Sequence, residues 1–466
     1  MTAQAAFIFR LPPMVLHAAF PPKRSGRSAD ISNRASALQL SPRPNRLSLS
    51  VKYPKGLTVA MYDAPPKTTA GDAGSILIMP PNCPPTSNLF MSYQTLPPQN
   101  DPQPTAPATA PVPLKDIELE STQTPELGRI LGEVGVSLLV STYQAGKLIV
   151  VRNDGEGLVN TLYRDAVKPM GIAVGNGQIA VGAMGEILFY ENVPDNCAKL
   201  EPAGKHDACF VQRYGHLTGD IDVHEMAFDR EGRIWFINTR FSTLCTIHGS
   251  NSFQPVWRPP FITGFASEDR CHLNGLAMVD GQPRYVTALG ESDVARGWRD
   301  RKADGGVLID IVSGRTICRG LSMPHSPRWY AGQLWVCESG KGTLSKVNPV
   351  SGEVTPFFEF PGFTRGVDFH GPLAFVGLSQ IRESAMFSGI PIADSADERI
   401  CGVWVIDITD GSLVGILRFT QGVEEIFAVQ ALPGLHFPEL LAKYDDLALG
   451  TYFLPKDVIL EAPPAQ

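Results

Sequence analysis

From residue 136 to about 434 the chain alternates short apolar runs with turns rich in Gly, Asn and Asp, and little helical periodicity competes with them. Val136 to Thr142 pairs naturally with Lys147 to Arg152 across Tyr-Gln-Ala-Gly. Ile172 to Val174 and Ile179 to Ala183 flank Gly-Asn-Gly, and Leu276 to Val279 and Arg284 to Thr287 flank Asp-Gly-Gln-Pro. Leu334 to Cys337 precedes Thr343 to Val347 across a Gly-Lys-Gly turn, and Val403 to Ile408 precedes Leu413 to Phe419 across Thr-Asp-Gly. These are hairpin signals, because such turns supply the backbone angles that reverse a strand. One short helix is expected at Thr124 to Gly132, with Thr124 as its N-cap and Pro125 at its first position.

The runs recur every 40–60 residues, the range of propeller blades. Aligned on Gly177, Gly232, Gly281, Gly332 and Gly371, the first strands begin at Met170, His224, Asn274, His325 and Arg365, and a sixth begins at Glu424. That last strand has no complete blade after it. Val136 to Leu162 supplies three strands that lack a first one. Joining the fragments predicts an all-β fold, a six-bladed β-propeller closed by strands from both ends of the domain, which protects the sheet edges. A seventh blade would have to lie in 435–466, where only Ala448 to Leu454 is strand-like.

In a propeller the start of each first strand borders the central channel. The leading positions Met170, His224, Asn274, His325, Arg365 and Glu424 are followed by Gly171, Glu225, Gly275, Ser326, Gly366 and Glu425. Two imidazoles, an amide, a guanidinium and up to three carboxylates would converge on one channel end. His224, Glu225 and His325 are the candidate catalytic residues, since an imidazole titrates near neutral pH. Asn274, Arg365, Glu424 and Glu425 are candidate ligand-binding residues, Arg365 suiting a carboxylate or phosphate. Glu225, Asn274 and Glu424 would suit a divalent cation such as calcium. The bland alternative is a set of polar residues that line a wet channel and satisfy one another. His206 to Cys209 and Asp269 to His272 contain ligand-type residues without metal-site spacing, and a turn or inter-blade role is expected for them. Long loops are expected at 291–306 and 382–399.

Composition separates the chain into regions. Residues 1–114 hold 20 of the 40 prolines, no tryptophan, and ten Lys/Arg against four Asp/Glu. Such a segment is expected to be mostly disordered, with at best a short strand at Ser75 to Met79, and a downstream start site would also explain it. Residues 115–440 form the propeller and 441–466 a C-terminal extension. Residues 115–466 carry 30 basic and 43 acidic residues, a balance that argues against a nucleic-acid partner. No run is long and apolar enough for a membrane span. The eight cysteines are scattered and form no C-x-x-C, as expected for buried thiols in a cytoplasmic protein.

Several phrases resemble a known family. They are Ser-Thr-Tyr-Gln-Ala-Gly-Lys-Leu (141–148), Asp-Arg-Cys-His-Leu-Asn-Gly-Leu-Ala (269–277), Met-Pro-His-Ser-Pro-Arg-Trp (323–329) and Pro-Gly-Phe-Thr-Arg-Gly-Val-Asp-Phe (361–369). The family is a mainly bacterial group of propeller-like proteins described as a domain of unknown function, and the likeness covers about 117–440. It implies the fold and no activity. At fold level the chain also resembles six-bladed calcium-dependent lactonases, whose channel-end carboxylates and amides would correspond to Glu225, Asn274 and Glu424 or Glu425. His224, His325 and Arg365 depart from that pattern. Two functions follow as expectations. One is a small-molecule or ion site at the channel end, of a metal-dependent hydrolase or isomerase. The other is a non-catalytic scaffold that docks a protein or peptide on the propeller-face loops.

Overall fold

The structure, a computed structural model, describes residues 49–52, 58–61, 118–155, 157–380, 389–394 and 400–455. The chain divides into two units at Ile76/Leu77. In the first, Leu49–Lys52 and Thr58–Met61 pair as an antiparallel hairpin, which composition alone did not suggest. The strand expected at Ser75 to Met79, and the rest of the proline-rich segment up to residue 114, lie outside the described residues.

The second unit is a six-bladed β-propeller. Blade one is Ile172–Gly175, Gln178–Ala183, Glu186–Asn192 and Ala208–Leu217. Blade two is Val223–Phe228, Ile234–Asn238, Thr243–Thr246 and Gln254–Trp257. Blade three is Leu273–Val279, Gln282–Ala288, Gly306–Asp310 and Thr316–Leu321. Blade four is Pro324–Tyr330, Gln333–Glu338, Thr343–Val347 and Val354–Glu359. Blade five is Phe363–His370, Leu373–Ser379, Cys401–Asp407 and Leu413–Gln421. Blade six takes its inner strand, Ala428–Pro433, from the C-terminal side and the rest, Val136–Thr142, Lys147–Asn153 and Val159–Asp165, from the N-terminal side. Second strands such as Val136–Thr142 are buried along their whole length, because both faces pack on neighbouring blades. The outermost Val159–Asp165 is half-buried and more polar.

Two further strands tie the chain ends to the outside of the ring. Glu120–Gln123 pairs with the outer strand of blade five, and Pro438–Leu440 runs parallel to the outer strand of blade one. Thr124 belongs to the first of these contacts. Its backbone N–H donates to Ile416 O, and its Oγ1 accepts the Ile416 N–H. It is therefore not a helix cap. The helix starts later, at Leu127–Val134, with Leu127 and Leu131 packed into the core between blades five and six. No strand forms in the C-terminal extension at Ala448 to Leu454; a short helix, Asp446–Leu449, is capped there by the Asp445 side chain.

The second end contact is built around one buried carboxylate. Glu439 receives Arg152 (Nη1 to Oε2, 3.2 Å) and Arg164 (Nη2 to Oε1, 2.5 Å) from blade six, and His206 Nε2 lies 3.4 Å away. Arg152 also donates to Pro438 O and lies 3.8 Å above the Phe437 ring. His206 packs edge-on against Phe437, centroids 5.1 Å apart, and its ring makes no hydrogen bond among the described residues.

The inner strands of successive blades lie side by side, and the sixth lies beside the first. Each boundary carries a hydrogen bond at the same end of the ring. Gly171 N–H donates to Val223 O, Thr239 Oγ1 to Leu273 O, and Asn274 Nδ2 to Pro324 O. Ser339 Oγ donates to Thr364 O, Ser379 Oγ to Ile426 O, and Ser141 Oγ to Met170 O. The backbones are close here. A Cβ on Gly366, which also has φ +76°, would sit 2.7 Å from Val429 N. Burial pushes the Cys209, Cys245, Cys271 and Cys337 thiols up to about 12, which makes them inert.

Candidate functional site at the channel mouth

Sheet register fixes which residues share a level in the channel. Val223, Leu273, Pro324 and Phe363 each pair with the last residue of their second strand, Asn238, Ala288, Glu338 and Ser379. The next residues, His224, Asn274, His325 and Thr364, are therefore equivalent. Arg365 lies one residue further, level with Glu225, Gly275 and Ser326, so the sequence alignment slipped by one in blade five. Thr364, not Arg365, stands seven residues before the turn glycine, as Asn274 and His325 do before Gly281 and Gly332. Glu424 and Glu425 also differ from expectation. The inner strand of blade six begins only at Ala428, with Phe427 N–H bonded to Ser141 O, so both glutamates sit in the preceding loop.

His224 and His325 are held the same way. His224 Nδ1 lies 2.8 Å from Thr239 Oγ1 and 3.1 Å from Asp222 O. His325 Nδ1 lies 2.9 Å from both Ser339 Oγ and Met323 O. Because Thr239 and Ser339 donate their own protons to the next blade, their oxygens accept from the rings. Nδ1 therefore carries the proton in both, and Nε2 keeps its lone pair. Neither Nε2 has a hydrogen-bond partner among the described residues. The backbone assists: Asp222 and Met323, two residues before each ring, have φ +52° and +44°.

Burial, reinforced by His272 and Arg365, holds His224 well below the usual imidazole value; burial, then Arg365 and His272, does the same to His325. The sign of the pH effect follows. The unfolded chain binds protons near pH 6.5 that the folded rings refuse, so their contribution to stability is present above 6.5 and lost as pH falls below it. Urea titrations are expected to show about 2–3 kcal/mol less stability at pH 5.5 than at 7.5 from the two rings together. A His224→Asn/His325→Asn variant, using the residue blade three carries at this level, should flatten that slope. Equal slopes would contradict the assignment. The comparison between variants isolates the rings from Glu225 and Asp368, whose raised values act in the opposite sense at lower pH.

Arg365 is the cation of the mouth. Its guanidinium lies 3.7 Å from the centroid of Phe427 and 5.9 Å from that of Tyr143, whose rings meet edge to face. No hydrogen-bond or ion-pair partner for it exists among the described residues. Burial lowers its pKa, whereas Tyr143 and the carboxylates of Glu425, Glu225 and Asp222 favour the charge, and a guanidinium stays protonated. His224 meets the same Phe427 ring edge-on at 5.0 Å and His272 at 4.9 Å. His272 in turn lies against Trp298, on the long loop of blade three.

Deeper in the channel, Arg328 of blade four reaches past blade three to Glu225 of blade two, Nη2 to Oε1 at 2.8 Å. Asp368 of blade five adds a second carboxylate to the field of Arg328 and accepts the Ala431 N–H at 2.8 Å. Burial pushes Glu225 and Asp368 up, and Arg328 opposes it. This cross-brace forms a polar floor beneath the mouth.

Of Glu225, Asn274 and Glu424, the first two are engaged by other groups of the protein. Glu225 is bound to Arg328, and Asn274 is held between Thr287 Oγ1 and Pro324 O. Among the described residues no group of three His, Cys, Asp or Glu is placed to hold a metal ion. Sequence reading missed His272, Tyr143, Phe427, Arg328 and Asp368. Asp269 to His272, for which the sequence suggests a turn or inter-blade role, also brings the His272 ring against His224 at the mouth. Most of the 382–399 loop lies outside the described residues. The 291–306 loop is ordered by Arg319 on Glu291 and by the Gly297–Arg301 turn.

A family profile described as "Domain of unknown function (DUF4915)" matches residues 125–441, which run from the start of the helix to the end of the closing strand. The chain belongs to this family. It is also similar to a chain in the crystal structure of a nidogen/laminin complex (11% identity, TM-score 0.42, covering 64% of this chain and 99% of that one). A protein of unknown function from Bacteroides caccae gives 10% identity, a TM-score of 0.40, and 64% and 99% coverage. A virginiamycin B lyase from Staphylococcus aureus gives 11%, 0.32, and 65% and 99%. No curated protein matches. Among the described residues no helix is long and apolar enough to cross a membrane.

Proposed function

We propose that the channel mouth binds a small molecule through an anionic group, as the substrate site of a hydrolase or isomerase. The observation that supports this most is Arg365. It is half-buried, stacked on Phe427, and makes no hydrogen bond or ion pair with a carboxylate among the described residues. Its guanidinium N–H groups have no directly bonded acceptor there, a place that the anionic group of a ligand would take. The histidines around it offer bare Nε2 atoms, so the site combines an anion anchor with proton acceptors. The Glu225–Arg328–Asp368 brace lies deeper in the channel and supplies a second charged layer.

The test is calorimetry and thermal shift with malate, citrate and inorganic phosphate, followed by a wider panel of carboxylates and phosphate esters. Arg365→Met keeps the contact with Phe427 and removes the charge. It should weaken binding of any hit by about 10–100-fold, as expected for a charge-assisted hydrogen bond. Arg365→Lys should retain part of the affinity. Hits that bind Arg365→Met as tightly as the wild type would refute the reading.

A further inference from the structure

Three imidazoles share the mouth, but their Nδ1 atoms face different partners. His224 and His325 meet hydroxyls and backbone carbonyls. His272 Nδ1 lies 2.9 Å from Asp269 Oδ1. The second oxygen of Asp269 accepts the Trp298 Nε1–H at 3.0 Å, and the Trp298 ring lies against the same imidazole, centroids 4.5 Å apart. His272 is thus fixed along one edge by a carboxylate and across one face by an indole. The chain accepts backbone strain to hold this arrangement, with φ +50° at Asp269 and +49° at His272, a conformation unfavourable for residues with a side chain.

The chemical consequence differs among the rings. A ring whose Nδ1–H meets neutral acceptors gains little when Nε2 takes up a proton. A ring whose Nδ1–H meets a carboxylate has the positive charge it acquires offset at contact distance. His224 and His325 are also tied into the hydrogen bonds that join blades, so their orientation serves the ring. His272 has no such duty. Its Nε2 has no hydrogen-bond partner among the described residues, and its ring stands beside His224, which shares Phe427 with Arg365. The charged and titratable groups around it are Asp269, Asp222, His224, His325 and Arg365.

We infer that His272 is the reactive imidazole of the mouth, offering Nε2 to the bound molecule, with Asp269 as its orienting partner and Trp298 as the residue that positions both. The assignment rests on the small-molecule reading of the site and narrows its ligand class. The ligand would be an anion that also carries an acidic hydrogen a few atoms away, as a hydroxy acid does, with the anion on Arg365 and the hydrogen toward His272. The proton would move from the ligand, or from a water beside it, to Nε2 and later return to ligand or solvent.

Diethyl pyrocarbonate tests this without knowing the substrate. The Nε2 lone pair attacks the reagent's carbonyl carbon, an N–C bond forms as the anhydride C–O bond breaks, ethyl carbonate leaves, and the Nδ1 proton is released. Rates at each histidine of the full chain would be read by peptide mass mapping, with the exposed His436 as the internal standard. His272 should react at least about tenfold faster than His224 and His325, a barrier difference of about 1.4 kcal/mol. Asp269→Asn should slow His272 at least tenfold relative to His436, and Asp269→Glu should restore part of the rate. Trp298→Phe, which keeps the ring contact and lets Asp269 move, should give an intermediate loss. If His272 is no faster than the other two rings, or if its rate is unchanged in Asp269→Asn with native near-UV circular dichroism, the assignment is wrong. Should Asp269→Asn fail to fold, the wild-type ranking and Trp298→Phe decide. Malate that protects His272 in the wild type and not in Arg365→Met supports both readings. Failure of malate, phosphate or citrate to protect, with the Asp269 dependence intact, would overturn the anion anchor and leave His272 as the reactive ring.

Discussion

Replacing Arg328 with methionine will lower the unfolding free energy by about 3–5 kcal/mol, the cost of removing one partner from a buried ion pair. The size follows from what remains. Glu225 and Arg328 have side chains only 7% and 14% exposed, and Asp368 also lies in the field of this guanidinium. Methionine fills the volume and leaves two buried carboxylates without the charge that opposes their burial. They respond by protonating, so the loss should be smaller at pH 5 than at pH 8. Adding Glu225→Gln to Arg328→Met should recover part of the stability, because a neutral amide removes one of the unpaired charges. Urea denaturation with an unchanged m-value would measure it. A loss below about 1 kcal/mol would mean that water already solvates the floor.

That floor was invisible in the sequence for a definable reason. The hairpin signals and the incomplete blades at the two ends were legible, because strand period and turn chemistry are local and a ring must close. Gly171, Gly275 and Gly366 also showed where inner strands approach closely. What lies opposite what across the channel is not local. Arg328 sits three residues beyond His325 in Met-Pro-His-Ser-Pro-Arg-Trp, and nothing in that phrase says that it reaches blade two. The slip at Arg365 has the same origin. The inner strands of blades two to five all shift register at this level, after Val223, Leu273, His325 and Thr364, so two successive residues both read as the leading position, and the charged Arg365 stood out over Thr364. Glu424 was misplaced because an acidic pair looked like a strand mouth, whereas the channel wall there is the aromatic Phe427. His272 was legible as a residue type and not as a site, since its partner Trp298 is on a loop 26 residues away. Still, the four phrases that carry the family likeness contain Tyr143, Asp269, His272, His325, Arg328, Arg365 and Asp368, most of the mouth and floor.

Replacing Glu439 with alanine is expected to cost about 3–5 kcal/mol as well, for the opposite charge balance. Here one carboxylate, 8% exposed, faces two arginines, Arg152 at 8% and Arg164 at 27%, with the His206 ring beside it. Removing it leaves guanidinium charges buried against each other, and burial already lowers the pKa values of Arg152 and His206. The damage should be local at first. Glu439 belongs to Pro438–Leu440, the strand that fastens the C-terminal end to blade one, and its arginines belong to blade six, where the ring closes. Amide exchange should therefore quicken in Pro438–Leu440 and Ala208–Leu217 before it does in blades three and four. Glu439→Gln keeps the shape and two acceptor lone pairs, so it should lose less than alanine. Because Glu439 shares no partner with Arg328, the two costs should add to within about 0.5 kcal/mol. Uniform acceleration across all blades would instead show that the ring opens only as a whole, and that the clasp contributes no separate step.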